Sequence, residues 1–241
     1  MSTAEVDDIQ EIIAQALVAV DILARALHAD GARLQATLDA ITAHAVAMHP
    51  AVQDAGLILL VGGKLVPQSV TGQAPQLLDS RQQNTGSGPC IEAAREQALI
   101  CIDNMPCDPR WPGFSAAAQT CGVASMLCVP LWVNERTLGA LSLYAPEPGA
   151  FSEYDKKIME TFATLAALAL SKAQQREQFT GAIVSRDIIG QAKGIIMERY
   201  EVSAEAAFSL LTRLSQERNV KLYKVARDIA ETRQIPDTAI D

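Results

Sequence analysis

Apolar residues recur along this chain with two different periods, and the switches between them divide it into helical and extended stretches. Ile9, Ile12, Ile13, Ala16, Leu17, Val20, Leu23 and Leu27 follow helical spacing and predict a helix over 5–28, ended by Asp30-Gly31. Leu34, Leu38, Ile41 and Ala45 predict a second helix. It stops near Met48-His49-Pro50, because proline disfavours helical backbone at the residue before it. The pattern then shortens, and residues 55–61, 64–70, 98–102, 125–133 and 136–144 predict strands. Gly62-Gly63 and Asn134-Glu135 read as tight hairpin turns. Five strands with helices before, between and after them predict an α+β fold, an antiparallel sheet under a helical layer.

Helical spacing returns at Ser152 and Asp155 and runs through Ile158, Phe162, Leu165 and Ala169. It meets Lys172 and Arg176, and resumes at Phe179 and Ile183. This is the spacing of a coiled-coil seam with a polar interruption, so two parallel copies of the chain could pair along it. The alternative is that residues 158–170 cover the sheet and the polar stretch to Gln178 is a solvated linker. Gly181 marks a point where helical register could loosen.

Beyond Ser185 come three short helical segments that share one core. The first carries Ile188, Ile189, Ala192, Ile195, Ile196 and Met197. Ser203 is placed to cap the second, which would bury Ala206, Ala207, Leu210, Leu211 and Leu214 with Phe208 at its margin. Leu222, Val225, Ala226 and Ile229 form the third. The expected organisation is an N-terminal helix over 1–31, a sensor-like domain over 32–151, a connecting helix over 152–184 and a three-helix bundle over 185–235.

Charge is unevenly spread. Residues 170–241 hold 11 lysines and arginines against 10 acidic residues, a formal +1, whereas residues 1–169 hold 9 against 18, a formal −9. Binding nucleic acid needs local positive potential rather than a basic total, and Lys193, Arg199, Arg213, Arg218, Lys221 and Lys224 are candidates to supply it. Gly194 beside Lys193 costs its helix roughly 1 kcal/mol relative to alanine. Two readings stand for it: close approach of a neighbouring helix, or close approach of a phosphate backbone.

The five cysteines, at 90, 101, 107, 121 and 128, fit no common zinc spacing and read as free buried thiols, with a redox or metal role as the alternative. All three histidines, at 28, 44 and 49, precede the strands. A histidine-ligated haem in the sheet domain, a metal site and a Ser/His/Asp set are therefore not expected. An acidic N-terminus and the lack of a long apolar run predict a cytoplasmic protein without a membrane partner.

Two loops could line a site. Thr85-Gly-Ser-Gly-Pro-Cys90 enters a helix and reads as turn chemistry, with anion binding as the alternative. The segment from Asp103 to Phe114 is rich in proline and holds Trp111 and Phe114, either as a pocket lining or as anchors to the core.

The sheet region resembles the GAF sensory domain. The likeness rests on Gly88-Pro89-Cys90, Ile102-Asp103, Arg110-Trp111-Pro112 with Phe114, and Gly122 with Ser125. It continues through Val129-Pro130-Leu131, Leu138-Gly139-Ala140-Leu141, and Phe151 with Asp155. It implies a small-molecule effector of unspecified chemistry and a sensor pocket around Cys101, Asp103, Trp111, Phe114 and Ser125.

The tail resembles the ANTAR domain of transcription antitermination regulators. The matching residues are Ile189, Ala192-Lys193-Gly194, Ile196-Met197, Arg199, Ala206-Ala207-Phe208, Leu211, Leu214-Ser215, Asn219, Lys221-Leu222 and Val225-Ala226. That resemblance implies a three-helix module binding paired stem-loops in nascent messenger RNA and preventing terminator formation. Ala192, Lys193, Gly194 and Arg199 fall in its first helix, and Ser215, Gln216, Asn219 and Lys221 in the region that reaches RNA. Tyr223 and Lys224 depart from the family pattern, where a basic residue and then an acidic one are usual.

Together these features predict a non-enzymatic, signal-responsive antitermination regulator acting as a homodimer on messenger RNA leaders. The alternatives are a DNA-binding regulator reading through the last helix, a cysteine-dependent methionine sulfoxide reductase, and a protein-interaction scaffold.

Overall fold

Every predicted strand forms, because each has β-branched or large apolar residues facing one side of a shared sheet. The computed structural model describes residues 34–235. The predicted helix over 5–28, with His28, lies outside them. The strands are β1 (Asp54–Val61), β2 (Lys64–Val70), β3 (Ile100–Ile102), β4 (Ser125–Val133) and β5 (Arg136–Ala145), in the order β2-β1-β5-β4-β3 with antiparallel pairing throughout. Two prolines fit this layout. Pro67 lies on the edge strand β2. Pro130 lies beyond Ile100, where β3 has ended, so neither removes a donor from a fully paired strand. At the centre Gly139 faces Leu59, and a methyl group on it would fall 1.8 Å from the Ile58 carbonyl oxygen.

Alternation along the strands makes two cores. One face carries Leu57, Leu59, Leu127, Val129, Leu141 and Leu143, covered by α1 (Leu34–Ala47) through Leu38, Ile41 and Ala45. The first half of a long helix packs on the same face through Ile158, Phe162, Ala166 and Leu170. The other face carries Ile58, Met126, Cys128, Ala140 and Tyr144. Over it lie residues of α2 (Gln73–Thr85), α3 (Pro89–Glu96) and α4 (Pro112–Thr120), among them Leu78, Ala93, Ala94 and Phe114.

The long helix, α5, runs without interruption over Glu153–Tyr200, with no break at Gly181. Ser152 and Asp155 close its first turn reciprocally: the Ser152 amide donates to Asp155 (2.8 Å) and the Asp155 amide donates to the Ser152 hydroxyl (3.3 Å). Residues 158–170 cover the sheet, as one of the two sequence readings has it, whereas Phe179 and Ile183 further along are 71% and 62% exposed.

The chain divides into two compact units at Gln174/Gln175. The second contains the end of α5 with α6 (Ala204–Glu217) and α7 (Leu222–Thr232). Ala192, Ile196, Ala207, Leu211, Leu214, Val225, Ala226 and Ile229 form its core. Ser203 caps α6 as expected, accepting from the Ala206 amide at 3.2 Å. Ala206 itself is exposed, since it lies in the first turn, on the side away from Ala207 and Leu211. No described helix is long and apolar enough to cross a membrane.

Candidate functional site

In the first unit, polar side chains converge where an apolar core is expected. Gly56, Ser142 and Cys128 lie in one row across β1, β5 and β4. Asp79 and Gln82, one helical turn apart on α2, reach over that row, and Cys90 enters it from the first turn of α3. All of these side chains are buried.

Gln82 holds two groups at once: its oxygen accepts from the Cys90 amide (2.9 Å) and its nitrogen donates to Cys90 Sγ (3.0 Å). Cys90 Sγ also lies 2.6 Å from Ser142 Oγ and 3.6 Å from Cys128 Sγ. Tyr144 donates to Asp79 Oδ1 at 2.8 Å, while Asp79 Oδ2 is buried with no partner. The backbone makes room for this arrangement. A methyl on Gly56 would fall 2.3 Å from Asp79 Oδ2, and one on Gly88 would fall 2.3 Å from Gln82 Oε1.

Burial raises the Asp79 carboxyl to about 7, against the lowering effect of hydrogen bonds from Tyr144 and Cys90. Burial likewise pushes the Cys128 thiol and the Tyr144 phenol well above their ordinary values. At neutral pH Cys128 and Tyr144 are therefore uncharged, and the Asp79 carboxyl is poised to gain or lose a proton. None of this was visible as a site in the sequence, where Asp79 and Gln82 look like surface residues of an unremarked segment.

The sequence-predicted pocket does not assemble in one place. Trp111 and Phe114 are core anchors beneath α4, among the residues around Ile58 and Tyr144. Cys101 points to the opposite sheet face, because it alternates with Ile100 and Ile102 along β3. Its thiol donates to Asp103 (3.1 Å), and burial followed by that contact pushes it up to about 12. Ser125 is buried and donates to the Glu147 carbonyl at 2.6 Å.

A shallow concavity of about 190 Å³ does border Trp111 and Phe114, lined also by Arg81, Thr85, Ser87 and Arg110. Arg110 is already engaged by Asp108 (2.6 Å) and stacks 4.6 Å from the Trp111 ring. The anion reading of the 85–90 loop fails at Cys90, whose amide is taken by Gln82. His49, one of two histidines near the end of α1, accepts from the Ala51 amide and pairs with Asp155 at 3.2 Å. Among the described residues no group of three His, Cys, Asp or Glu is arranged to hold a metal ion.

In the second unit the predicted nucleic-acid residues divide by role. Ala192 is fully buried and packs the bundle. Arg199 donates to the Arg233 carbonyl at 2.9 Å and closes the end of α7. Ser215 donates to the Val220 carbonyl (2.6 Å), and the Asn219 amide donates to the Gln216 carbonyl (3.1 Å), so the α6–α7 turn is pinned by its own polar groups. Asn219 takes the left-handed conformation there, with φ 51°.

The side chains of Gln216, Asn219, Lys221 and Lys224 are exposed around that pinned turn. Arg218 approaches Asp228 and Arg213 approaches Glu217, each at 3.9 Å. On α5, a methyl on Gly194 would meet nothing within 4 Å, so no close helix approach among the described residues requires that glycine. Lys193 lies 6.0 Å over the ring of the exposed Phe208.

The GAF domain family matches residues 31–171 and the ANTAR domain family residues 177–229, in the order the resemblances implied. The anaerobic nitric oxide reductase transcription regulator NorR of Shigella flexneri is 26% identical over 184 residues, covering 70% of this chain and 36% of that relative. The NorR protein of Escherichia coli O81 (strain ED1a) is 25% identical over the same length. The chain thus spans about a third of the length of the curated relatives it matches.

Among solved structures, the GAF domain of an Acinetobacter phosphoenolpyruvate-protein phosphotransferase superposes with a TM-score of 0.52 at 14% identity, over 68% of this chain and 97% of that one. The free methionine-R-sulfoxide reductase of Neisseria meningitidis, solved with its substrate, gives 0.51 at 18% identity, over 67% and 93%. At those identities the likeness is one of fold alone.

Proposed function

The chain belongs to the GAF domain family and carries an ANTAR domain after it, which makes it a signal-sensing regulator, and from that premise we propose that it is an RNA-binding antiterminator. In this reading it is not an enzyme. It binds stem-loops in nascent messenger RNA and so prevents a terminator from forming. The observation that carries the reading is the turn between α6 and α7, pinned by hydrogen bonds among its own residues while the side chains of Gln216, Asn219, Lys221 and Lys224 remain exposed. Splayed loop bases are read by such polar side chains, with lysine and arginine holding phosphate. Lys193, beside the open surface of Gly194 on α5, is a further candidate to hold phosphate.

We place a second copy of the chain along α5, where Phe179 and Ile183 lie four residues apart and exposed. Two linked bundles raise each other's effective concentration on a paired target. A small-molecule effector acting on the first unit would alter that pairing.

The test is a titration of the intact chain against an RNA carrying two stem-loops, with a duplex DNA competitor, across a series of salt concentrations. Binding to RNA that the duplex does not displace is expected. Loss of the complex to duplex DNA, or no complex with any hairpin, would overturn the reading.

A further inference from the structure

We propose that Cys90 and Cys128 are a redox couple that closes to a disulfide at the expense of a hydroperoxide. Their sulfurs are already in contact at 3.6 Å, one on α3 and one on β4, 38 residues apart in the chain. Closing the bond requires that distance to fall to about 2.05 Å.

The surroundings are not those of an inert core thiol. Cys90 Sγ has the Gln82 amide at 3.0 Å and the Ser142 hydroxyl at 2.6 Å, two groups able to donate to a thiolate. Asp79 Oδ1 lies 3.8 Å from the same sulfur and can take its proton. The carboxyl, raised to about 7, is populated in both protonation states near neutral pH. Cys101, by contrast, directs its thiol at the Asp103 carboxylate, which opposes ionisation.

The chemistry balances with one peroxide. Asp79 takes the Cys90 proton, the thiolate attacks one peroxide oxygen, and the O–O bond breaks. The departing hydroxide takes that proton back from Asp79 and leaves as water, so Cys90 becomes a sulfenic acid. The Cys128 sulfur then attacks the Cys90 sulfur and the S–O bond breaks. The hydroxyl leaves as a second water with the Cys128 proton. Two thiols lose two electrons in all, and one hydrogen peroxide becomes two waters. Both residues are 0% exposed, so an oxidant reaches the sulfurs only when the cluster opens, and one as small as hydrogen peroxide needs the least opening.

The experiment uses the full chain with Cys101, Cys107 and Cys121 changed to serine, treated with hydrogen peroxide and followed by intact mass. A loss of about 2 mass units, restored by dithiothreitol, with a proteolytic fragment joining Cys90 to Cys128, is the expected result. In Cys128→Ser, and in Cys128→Ala should the serine misfold, Cys90 should instead be held as a sulfenic acid, read as a gain of about 16 mass units in the intact chain and labelled by dimedone once the chain is unfolded. Asp79→Asn should slow closure by about tenfold or more; equal rates would overturn the role given to Asp79. Two persistent thiols under peroxide that oxidises Cys107 in the unmodified chain, or links formed only between chains, would overturn the couple itself.

Discussion

Replacing Asp79 with asparagine should make the first unit more stable in mild alkali and remove part of its dependence on pH. The carboxyl titrates near 3.8 when unfolded and about 7 when buried, so between those values the folded chain holds a proton that the unfolded chain has released. Unfolding free energy from this group therefore falls as pH rises through that window and levels off above it. A difference of about 3 pH units at 1.36 kcal/mol each gives about 4 kcal/mol in all.

Asparagine is a neutral stand-in for the protonated acid. Its oxygen can keep the Tyr144 hydrogen bond, and its amide nitrogen takes the place of the partnerless Oδ2 against Gly56. The variant should match the parent near pH 4 and exceed it by up to about 4 kcal/mol at pH 8. Both tryptophans, Trp111 and Trp132, lie in this unit, so urea unfolding followed by their fluorescence reports on it. Asp108 and Asp155, whose carboxyls are held low, contribute equally to both proteins and cancel in the difference. Parallel stability profiles for the two proteins would show that Asp79 is not the buried proton carrier.

Lys193→Ala should weaken RNA binding and lower the slope of log affinity against log salt by about 0.7 to 0.9, the contribution of one phosphate; an unchanged slope in a folded variant removes Lys193 from the interface. Phe179→Asp with Ile183→Asp should convert a dimer to a monomer in sedimentation equilibrium and leave the first unit's tryptophan fluorescence unaltered; a dimer that persists places the second copy elsewhere. Gly139→Ala should destabilise the sheet by about 3 kcal/mol in thermal unfolding, because the new methyl meets the Ile58 backbone and no flexible side chain can yield; a wild-type melting temperature would mean that β1 and β5 can separate there.

The strands were legible because β4 and β5, of 9 and 10 residues, are near-continuous apolar runs buried on both sheet faces, with turn residues between them. The end of α5 with α6 and α7 was legible for a related reason: its buried residues are aliphatic at helical spacing. α2 was not seen, and its buried face explains why. Pro75, Leu78, Asp79 and Gln82 are the residues it turns inward, so half of its core stripe is polar and the 3.6-residue period disappears from the apolar pattern. The misplaced sensor pocket has a different cause. Cys101 and Asp103 adjoin Trp111 and Phe114 in the chain, but a period of two sends Cys101 through the sheet to the other face.

The feature that hid α2 is also the one that gives the first unit something to respond with. A core built for stability alone would put leucine where Asp79 and Gln82 lie, and side chains where Gly56 and Gly88 leave room for them. Burying a carboxyl with one oxygen unpartnered works against folding, and at pH above about 7 it leaves a charge in the interior. That disfavoured state is held in place by the sheet on one side and by α2 and α3 on the other, through Tyr144, Gln82 and Cys90. A small change at the cluster, whether a proton moved or a sulfur bond made, therefore shifts a balance of a few kcal/mol in a domain whose whole stability is of the order of 10 kcal/mol. An apolar core offers no such lever. If Asp79→Asn both stabilises the unit and blunts its response to peroxide, the cost in stability and the capacity to respond reside in the same side chain; if it stabilises the unit with closure unaffected, the two are separate properties of the cluster.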